Sequence, residues 1–253
     1  MTPSMMPWPV PGHILLPGAR SAVNPDPTLL SDPLFVLLAW AAGVAAAGAV
    51  VTYRATVGVG FTWLTGAVVI LIGVWPAFGG SFLVAVAALA GLLAALVVKA
   101  NRIGAGILLG LSGLGFLGAA AQLGGPILAI SAALALGGIT GEMLLGHWYL
   151  VDPTLPRSVL RVLAVVGLAG EMLDSGLVAA LVGLPRGGFM AWVVVILALT
   201  TAGLMAAVVG ALRYPAYSGV MAATGLSYLA VLTGLATVFL IRVLAAGTGP
   251  LGI

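Results

Sequence analysis

Eight apolar blocks follow one another along this 253-residue chain, near 34–53, 57–76, 80–98, 103–122, 126–150, 158–184, 188–212 and 217–244, each bounded by Pro, Gly or charged residues. At 1.5 Å of rise per residue, about 20 residues of helix cover the roughly 30 Å of hydrocarbon in a bilayer. Lipid offers no water to bond exposed backbone groups, which leaves helices and closed β-barrels as the spanning structures. Barrel strands alternate apolar and polar residues over about ten positions, and runs such as Phe82 to Val98 do not alternate. The blocks predict an all-α, polytopic transmembrane helical bundle of about eight spans, or seven if one is re-entrant. Only 6% of the residues are charged, against about 25% in a soluble domain, so a surface made from this chain would not stay in water.

Residues 1–32, with prolines at 3, 7, 9, 11, 17, 25 and 27, read as an irregular N-terminal arm and not as a cleaved signal peptide. Residues 33–253 read as a single transmembrane domain. The short breaks at Pro76–Gly79 and Lys99–Arg102 predict tight antiparallel hairpins. Cytoplasmic loops collect Lys and Arg. With eight spans Arg54, Lys99, Arg102, Arg157, Arg161 and Arg213 fall on one side and Arg20, Arg186 and Arg242 on the other. That distribution predicts a multi-pass protein of the cell (plasma or inner) membrane with both termini, and the arm, outside the cytoplasm. The nine cations are scattered at block edges and form no basic patch, so no nucleic-acid partner is expected. The bilayer and other membrane subunits are the expected partners.

The 37 glycines suit close helix approach, and Gly106 and Gly110 give one GxxxG spacing. Gly138-x-x-Gly141-Glu142-Met143-Leu144 recurs as Gly167-x-x-Gly170-Glu171-Met172-Leu173. Either this is a short repeat or it is chance in a chain rich in Gly and Leu.

Of six carboxylates, Glu142, Asp152, Glu171 and Asp174 fall on the fifth and sixth blocks, while Asp26 and Asp32 precede the first. An acid at mid-membrane costs about 2.5–3.5 kcal/mol on insertion scales and therefore faces a partner or a wet cavity. Counted from the loop at Asp152, Glu142 lies about 12 Å deep and Glu171 about 20 Å deep, within one or two turns of each other. Asp174 extends the line by one turn. Glu142, Glu171 and Asp174 are the leading candidates for a proton path or for a polar pocket taking a quinone or substrate head group; the competing reading is a structural ion pair that fixes helix packing.

His147 and Tyr149 join them as path candidates, since a histidine at a membrane surface titrates in the physiological range and Tyr149 shares a helical face with Glu142. Trp148 and Tyr149 equally suit an interfacial aromatic belt, and Arg157 and Arg161 suit topology anchors. Spans seven and eight carry Thr200, Thr201, Ser227, Tyr228, Thr233 and Thr237, as path-lining or packing residues.

Several chemistries fail on inventory. There is no cysteine for disulfides, thiolate metal sites or nucleophiles. Bis-histidine haem needs a second membrane histidine, and His13 lies in the arm, leaving at most a single-His tetrapyrrole ligand in His147. Glu142 to His147 is the wrong spacing for a di-metal carboxylate site, and the sole lysine, Lys99, sits at a block end, unlike a retinal lysine. Gly110-Leu111-Ser112-Gly113 is similar to the GxSG of rhomboid intramembrane proteases, but only His147 is available as its base and the rest of that pattern is missing.

The expected function is a multi-pass integral membrane subunit of a larger, energy-transducing complex, handling protons or a quinone, because no soluble domain, nucleotide motif or cofactor set accompanies the acids. The alternatives are an autonomous secondary transporter or channel with intramembrane acidic coupling residues, and a structural scaffold whose proline arm docks a partner. A membrane enzyme acting on lipid is a further alternative, for which the sequence offers no convincing nucleophile or metal cluster.

Overall fold

A computed structural model describes residues 31–54, 57–77, 81–152, 155–183 and 188–247. Almost all of the proline arm, with His13, Arg20 and Asp26, lies outside the described residues, as does Arg186. Among the described residues the chain is all helix: α1 (Pro33–Tyr53), α2 (Val59–Ala77), α3 (Phe82–Val97), α4 (Arg102–Gly124), α5 (Pro126–Val151), α6 (Arg157–Leu181), α7 (Phe189–Ala211) and α8 (Tyr217–Gly247). Each lies within three residues of its apolar block.

Local chemistry sets the ends. Asp32 caps α1 by accepting the Leu34 N–H at 2.9 Å, ahead of Pro33. Asn101 caps α4 by accepting the Gly104 N–H at 2.8 Å. A single residue, Gly125, separates α4 from α5. Its φ of +80° belongs to the left-handed side that glycine tolerates, and Pro126 then starts α5.

Seven of the helices are long and apolar enough to cross a membrane, which makes the protein a multi-pass membrane bundle. The eighth, α3, has 16 residues, about 24 Å. It nonetheless runs the length of α2, because Lys99 just beyond its end lies over the Trp63 ring near the start of α2, 5.6 Å from the centroid. Other contacts gather at that same end. Arg102 Nη1 donates to the Val57 carbonyl at 3.2 Å, the Trp148 ring covers Gly58 and Gly60, and Arg157 Nη1 donates to the Tyr214 carbonyl at 2.7 Å. Hence Arg54, Lys99, Arg102, Arg157 and Arg213 share one end of the bundle.

Helices α1–α4 form a ring in which each touches the next and α4 returns to α1; α5–α8 form a second ring in the same order. The rings join mainly through α1 against α5, the two most enclosed helices, with 67% and 72% of their apolar windows buried against 22% for α7. Adjacent glycines make this possible. A Cβ on Gly137 would fall on the backbone of Gly43, and a Cβ on Gly138 on the backbone of Gly167. Gly43 is the middle residue of α1, and Gly137 and Gly138 lie at the middle of α5, so α1 and α6 both approach α5 at the level of the bilayer centre. Close backbone approach of this kind is what drives helix association in lipid.

The Gly-x-x-Gly-Glu echo acquires a physical meaning here. Gly138 and Gly167 face each other, and Gly170 meets Leu134 and Ala135. The two copies are the two sides of one antiparallel crossing.

Replacing Gly138 with Val should force α5 and α6 apart at a cost of about 2 kcal/mol or more. We expect a melting temperature in detergent lower by roughly 5 °C or more. Gly203→Ala, where a Cβ meets nothing within 4 Å, should leave it unchanged; equal melting of the two variants would contradict the crossing.

Candidate functional site

The α5–α6 crossing places the three membrane acids. Four residues separate Gly138 from Glu142 and Gly167 from Glu171, so in antiparallel helices the two glutamates lie about 6 Å to either side of the crossing. Their axial separation is about 12 Å, two turns. Both side chains, and that of Asp174, are buried, with 0%, 1% and 1% of their surface exposed.

Asp174 is fully engaged. Arg242 of α8 forks onto it, Nη2 donating to Oδ1 at 2.6 Å and Nη1 to Oδ2 at 2.8 Å. Ser131 Oγ of α5 donates to Oδ1 at 2.6 Å, the short distance typical of a charge-assisted bond. Arg242 is itself 0% exposed. Its Nη1 also donates to the Val238 carbonyl at 2.9 Å, and its guanidinium lies 5.0 Å from the Phe35 ring centroid of α1. One ion pair thus ties α8 to α6, α5 and α1. The structural reading of a buried acid is realised at Asp174.

The glutamates differ. Glu171 lies near enough to Asp174 and Arg242 to feel both charges, with Ser175 beside it. Yet neither of its carboxyl oxygens has a hydrogen-bond partner among the described residues, and neither does Ser175 Oγ. A Cβ built on Gly234 of α8 would stand 3.8 Å from Glu171 Oε2, 3.1 Å from Ile139 of α5 and 3.2 Å from Thr201 of α7. The carboxyl therefore sits where all four helices of the second ring meet. Glu142 has Ser227 of α8 beside it, but the Ser227 hydroxyl donates to the Thr224 carbonyl at 2.8 Å. Both Glu142 oxygens also lack a partner among the described residues. A buried polar atom without a partner is rare in proteins and calls for an explanation.

Read along α8, these groups form a column. Thr224 meets Gly146, Ser227 meets Glu142, and Gly234 meets Glu171. Thr237 Oγ1 lies 3.5 Å from Thr201 Oγ1, and Arg242 binds Asp174. From Thr224 to Arg242 is about 27 Å of helix, close to the thickness of the hydrocarbon core.

His147 and Tyr149 lie apart from the column's interior. His147 is exposed on α5, with its Nδ1 3.2 Å from the Tyr228 hydroxyl of α8. Tyr149 is buried, but its hydroxyl accepts from Arg157 Nε at 3.3 Å, and the Arg157 guanidinium lies 5.9 Å from its ring centroid. Tyr149 and Arg157 belong to a strap holding α5 and α6 to the α7–α8 turn. Arg161 is exposed and does not enter the bundle. Ser112 of the Gly110–Gly113 motif is buried against Gly91 of α3, in the first ring, and does not meet His147.

Arg242 and Ser131 escape the sequence reading. Counted as a loop charge, Arg242 proves to be an intramembrane ligand of Asp174, and the charge distribution loses it. The available signal is its flanks: Phe239, Leu240 and Ile241 precede it and Val243 and Leu244 follow, whereas Arg213 is followed by Tyr214 and Pro215. No family model, curated protein or solved structure matches the chain.

Removing Arg242 alone, as Arg242→Met, should cost about 3–5 kcal/mol by stranding Asp174. The double variant Arg242→Met, Asp174→Leu should recover most of that loss. A double variant no more stable in thermal melts than the single one would contradict the pairing.

Proposed function

We propose that this protein is the membrane-embedded, proton-handling subunit of an energy-transducing complex in the cell membrane, and that Glu142 and Glu171 are its proton carriers. The observation that carries this reading is the pair of buried glutamates with no hydrogen-bond partner among the described residues, placed either side of the bilayer centre on one polar column. Intramembrane acids of this kind mark proton relays and ion pathways.

Each carboxyl takes up and gives back a proton. Asp174 does not join them, because a fork from Arg242 and a bond from Ser131 already occupy both of its oxygens. Arg242 and Asp174 instead act as the positioning pair, keeping α8 against α6 so that Glu171 faces Gly234 and Thr201. The missing side chain at Gly234 leaves the space beside the Glu171 carboxyl narrow but not filled by α8. Transfer between glutamates about 12 Å apart along the axis requires water to enter along this line, linking Glu171 to Ser227 and Glu142. His147, beyond Glu142 on α5 and in contact with the Tyr228 hydroxyl, supplies the exchange point toward the end where the cations gather. That end faces the cytoplasm in this proposal, by the bias of Lys and Arg toward cytoplasmic loops, which leaves both termini outside.

A second reading, an autonomous secondary transporter, rests on the two rings. Helices α1–α4 and α5–α8 share one order of contacts, and transporters are commonly built from paired repeats with their coupling sites near the midplane. In that case the same two glutamates couple substrate movement to protons.

Glu171→Gln and Glu142→Gln keep shape and remove the titrating group. Each should lower proton uptake in proteoliposomes by about a hundredfold or more, the usual scale for loss of a proton-transfer group, with thermal stability unchanged. Retention of wild-type flux in both would refute the carriers. Purification through a C-terminal tag in mild detergent separates the two readings: stoichiometric membrane partners support the subunit, and a lone chain or homo-oligomer active in liposomes supports the transporter.

A further inference from the structure

Helix α1 is enclosed almost everywhere. From Phe35 to Tyr53 its exposed residues are Ala46, Val50 and Tyr53, and Arg54 follows them. Spaced four and three apart, they form one stripe down one side of the helix. The stripe opens onto two cavities that share Val50. The inner one, about 310 Å³, lies between α1, α4, α5 and α6 and reaches Gly43, Gly137 and Gly138 at the bilayer centre. The outer one, about 440 Å³, lies between α1 and α4 and is lined by Tyr53, Arg54 and Gly106 at the bundle's cationic end. Together they make a groove with an apolar inner part and a single cation at its mouth.

Its length is that of one leaflet. Arg54 stands 11 residues beyond Gly43, about 16 Å along the helix, and half the hydrocarbon core is about 15 Å. The Arg54 guanidinium has no ion-pair partner among the described residues, whereas Arg157 and Arg242 are both engaged. A neutral isoprenoid chain would fill the inner part and leave Arg54 unanswered. A lipid with a phosphate at head-group level and an acyl chain below it answers both ends, and basic pockets between membrane helices take such head groups.

We propose that this groove is a binding site for one anionic glycerophospholipid of the leaflet at the Arg54 end, its phosphate on Arg54 and one acyl chain reaching the Gly43–Gly137 contact. The site is separate from the glutamate column, so it stands or falls independently of the proton reading. Gly110 offers a way to close it. It lines the inner cavity, and a Cβ there meets only Ala49 at 3.9 Å, so a larger side chain enters the groove without displacing a helix.

The test reconstitutes the full-length protein, with any partners it retains, in bilayers of equal phosphatidylglycerol and phosphatidylcholine. It is then re-extracted and its retained lipid counted by native mass spectrometry. Wild type should keep about one phosphatidylglycerol per chain, enriched about fivefold over phosphatidylcholine, the discrimination expected of one interfacial cation. Arg54→Gln should keep a lipid but lose the enrichment, and Gly110→Leu should lose the bound lipid at unchanged melting temperature. No enrichment in wild type, enrichment unaltered in both variants, or retention of an isoprenoid quinone in place of phospholipid would overturn the proposal.

Discussion

A guanidinium with no exposed surface cannot remain unpaired in hydrocarbon, and the arrangement of the second ring follows from how this chain satisfies that constraint. Removing a charge from water costs several kcal/mol even after relaxation. Arg242 recovers it through two bonds to Asp174, one to the Val238 carbonyl and a position over the Phe35 ring. Ser131 adds a bond to Asp174 from α5, and Arg242 Nε alone of the guanidinium nitrogens has no partner among the described residues. Four helices are held at one locus, and their relative rotations are set there. With α8 fixed, Ser227 and Gly234 face Glu142 and Glu171, and the two glutamates are closed into the bundle.

The chain divides its labour. Helices α1–α3, α7 and the interior of α4 carry no charged residue; they pack by glycine and alanine, at crossings as close as Gly43 against Gly137. The intramembrane carboxyls lie on α5 and α6, and α8 supplies the one intramembrane cation among the described residues. Within that second ring the acids differ in kind. Asp174 is held by donors from Arg242 and Ser131 and fixes structure, whereas the carboxyl oxygens of Glu142 and Glu171 have no hydrogen-bond partner among the described residues, which is why the proposed proton carriage falls to them.

The sequence makes the spans legible because length and hydropathy are properties of contiguous residues, and each helix falls within three residues of its apolar block. The acids are legible for a related reason, since a carboxylate inside such a block is costly wherever it points. What the residues of a helix face is not contiguous. Arg242, near the end of an unusually long α8 of 31 residues, looks like a loop charge until α6 is placed beside it. Ser131 is one hydroxyl among many. The Gly-x-x-Gly-Glu echo is plain as a pattern, but its cause is a contact between its own two copies, which only the antiparallel pairing of α5 with α6 reveals. Tyr149 shares the helical face of Glu142 in sequence, yet its hydroxyl turns to Arg157.

The polar column requires that α8 lie along α5 and α6 in the register that lines its hydroxyls and Gly234 up with the two glutamates. The absence of cysteine from the sequence makes a disulfide between introduced residues a clean ruler of that register. A Cβ on Gly146 of α5 would stand 2.6 Å from Thr224 Oγ1 of α8, one turn from Glu142 and from Ser227 respectively. Gly146→Cys with Thr224→Cys, oxidised in native membranes without detergent, should form an intramolecular disulfide rapidly and nearly completely. If this pair stays reduced while Gly146→Cys with Tyr217→Cys cross-links instead, α8 sits about two turns out of register, and the polar column does not exist.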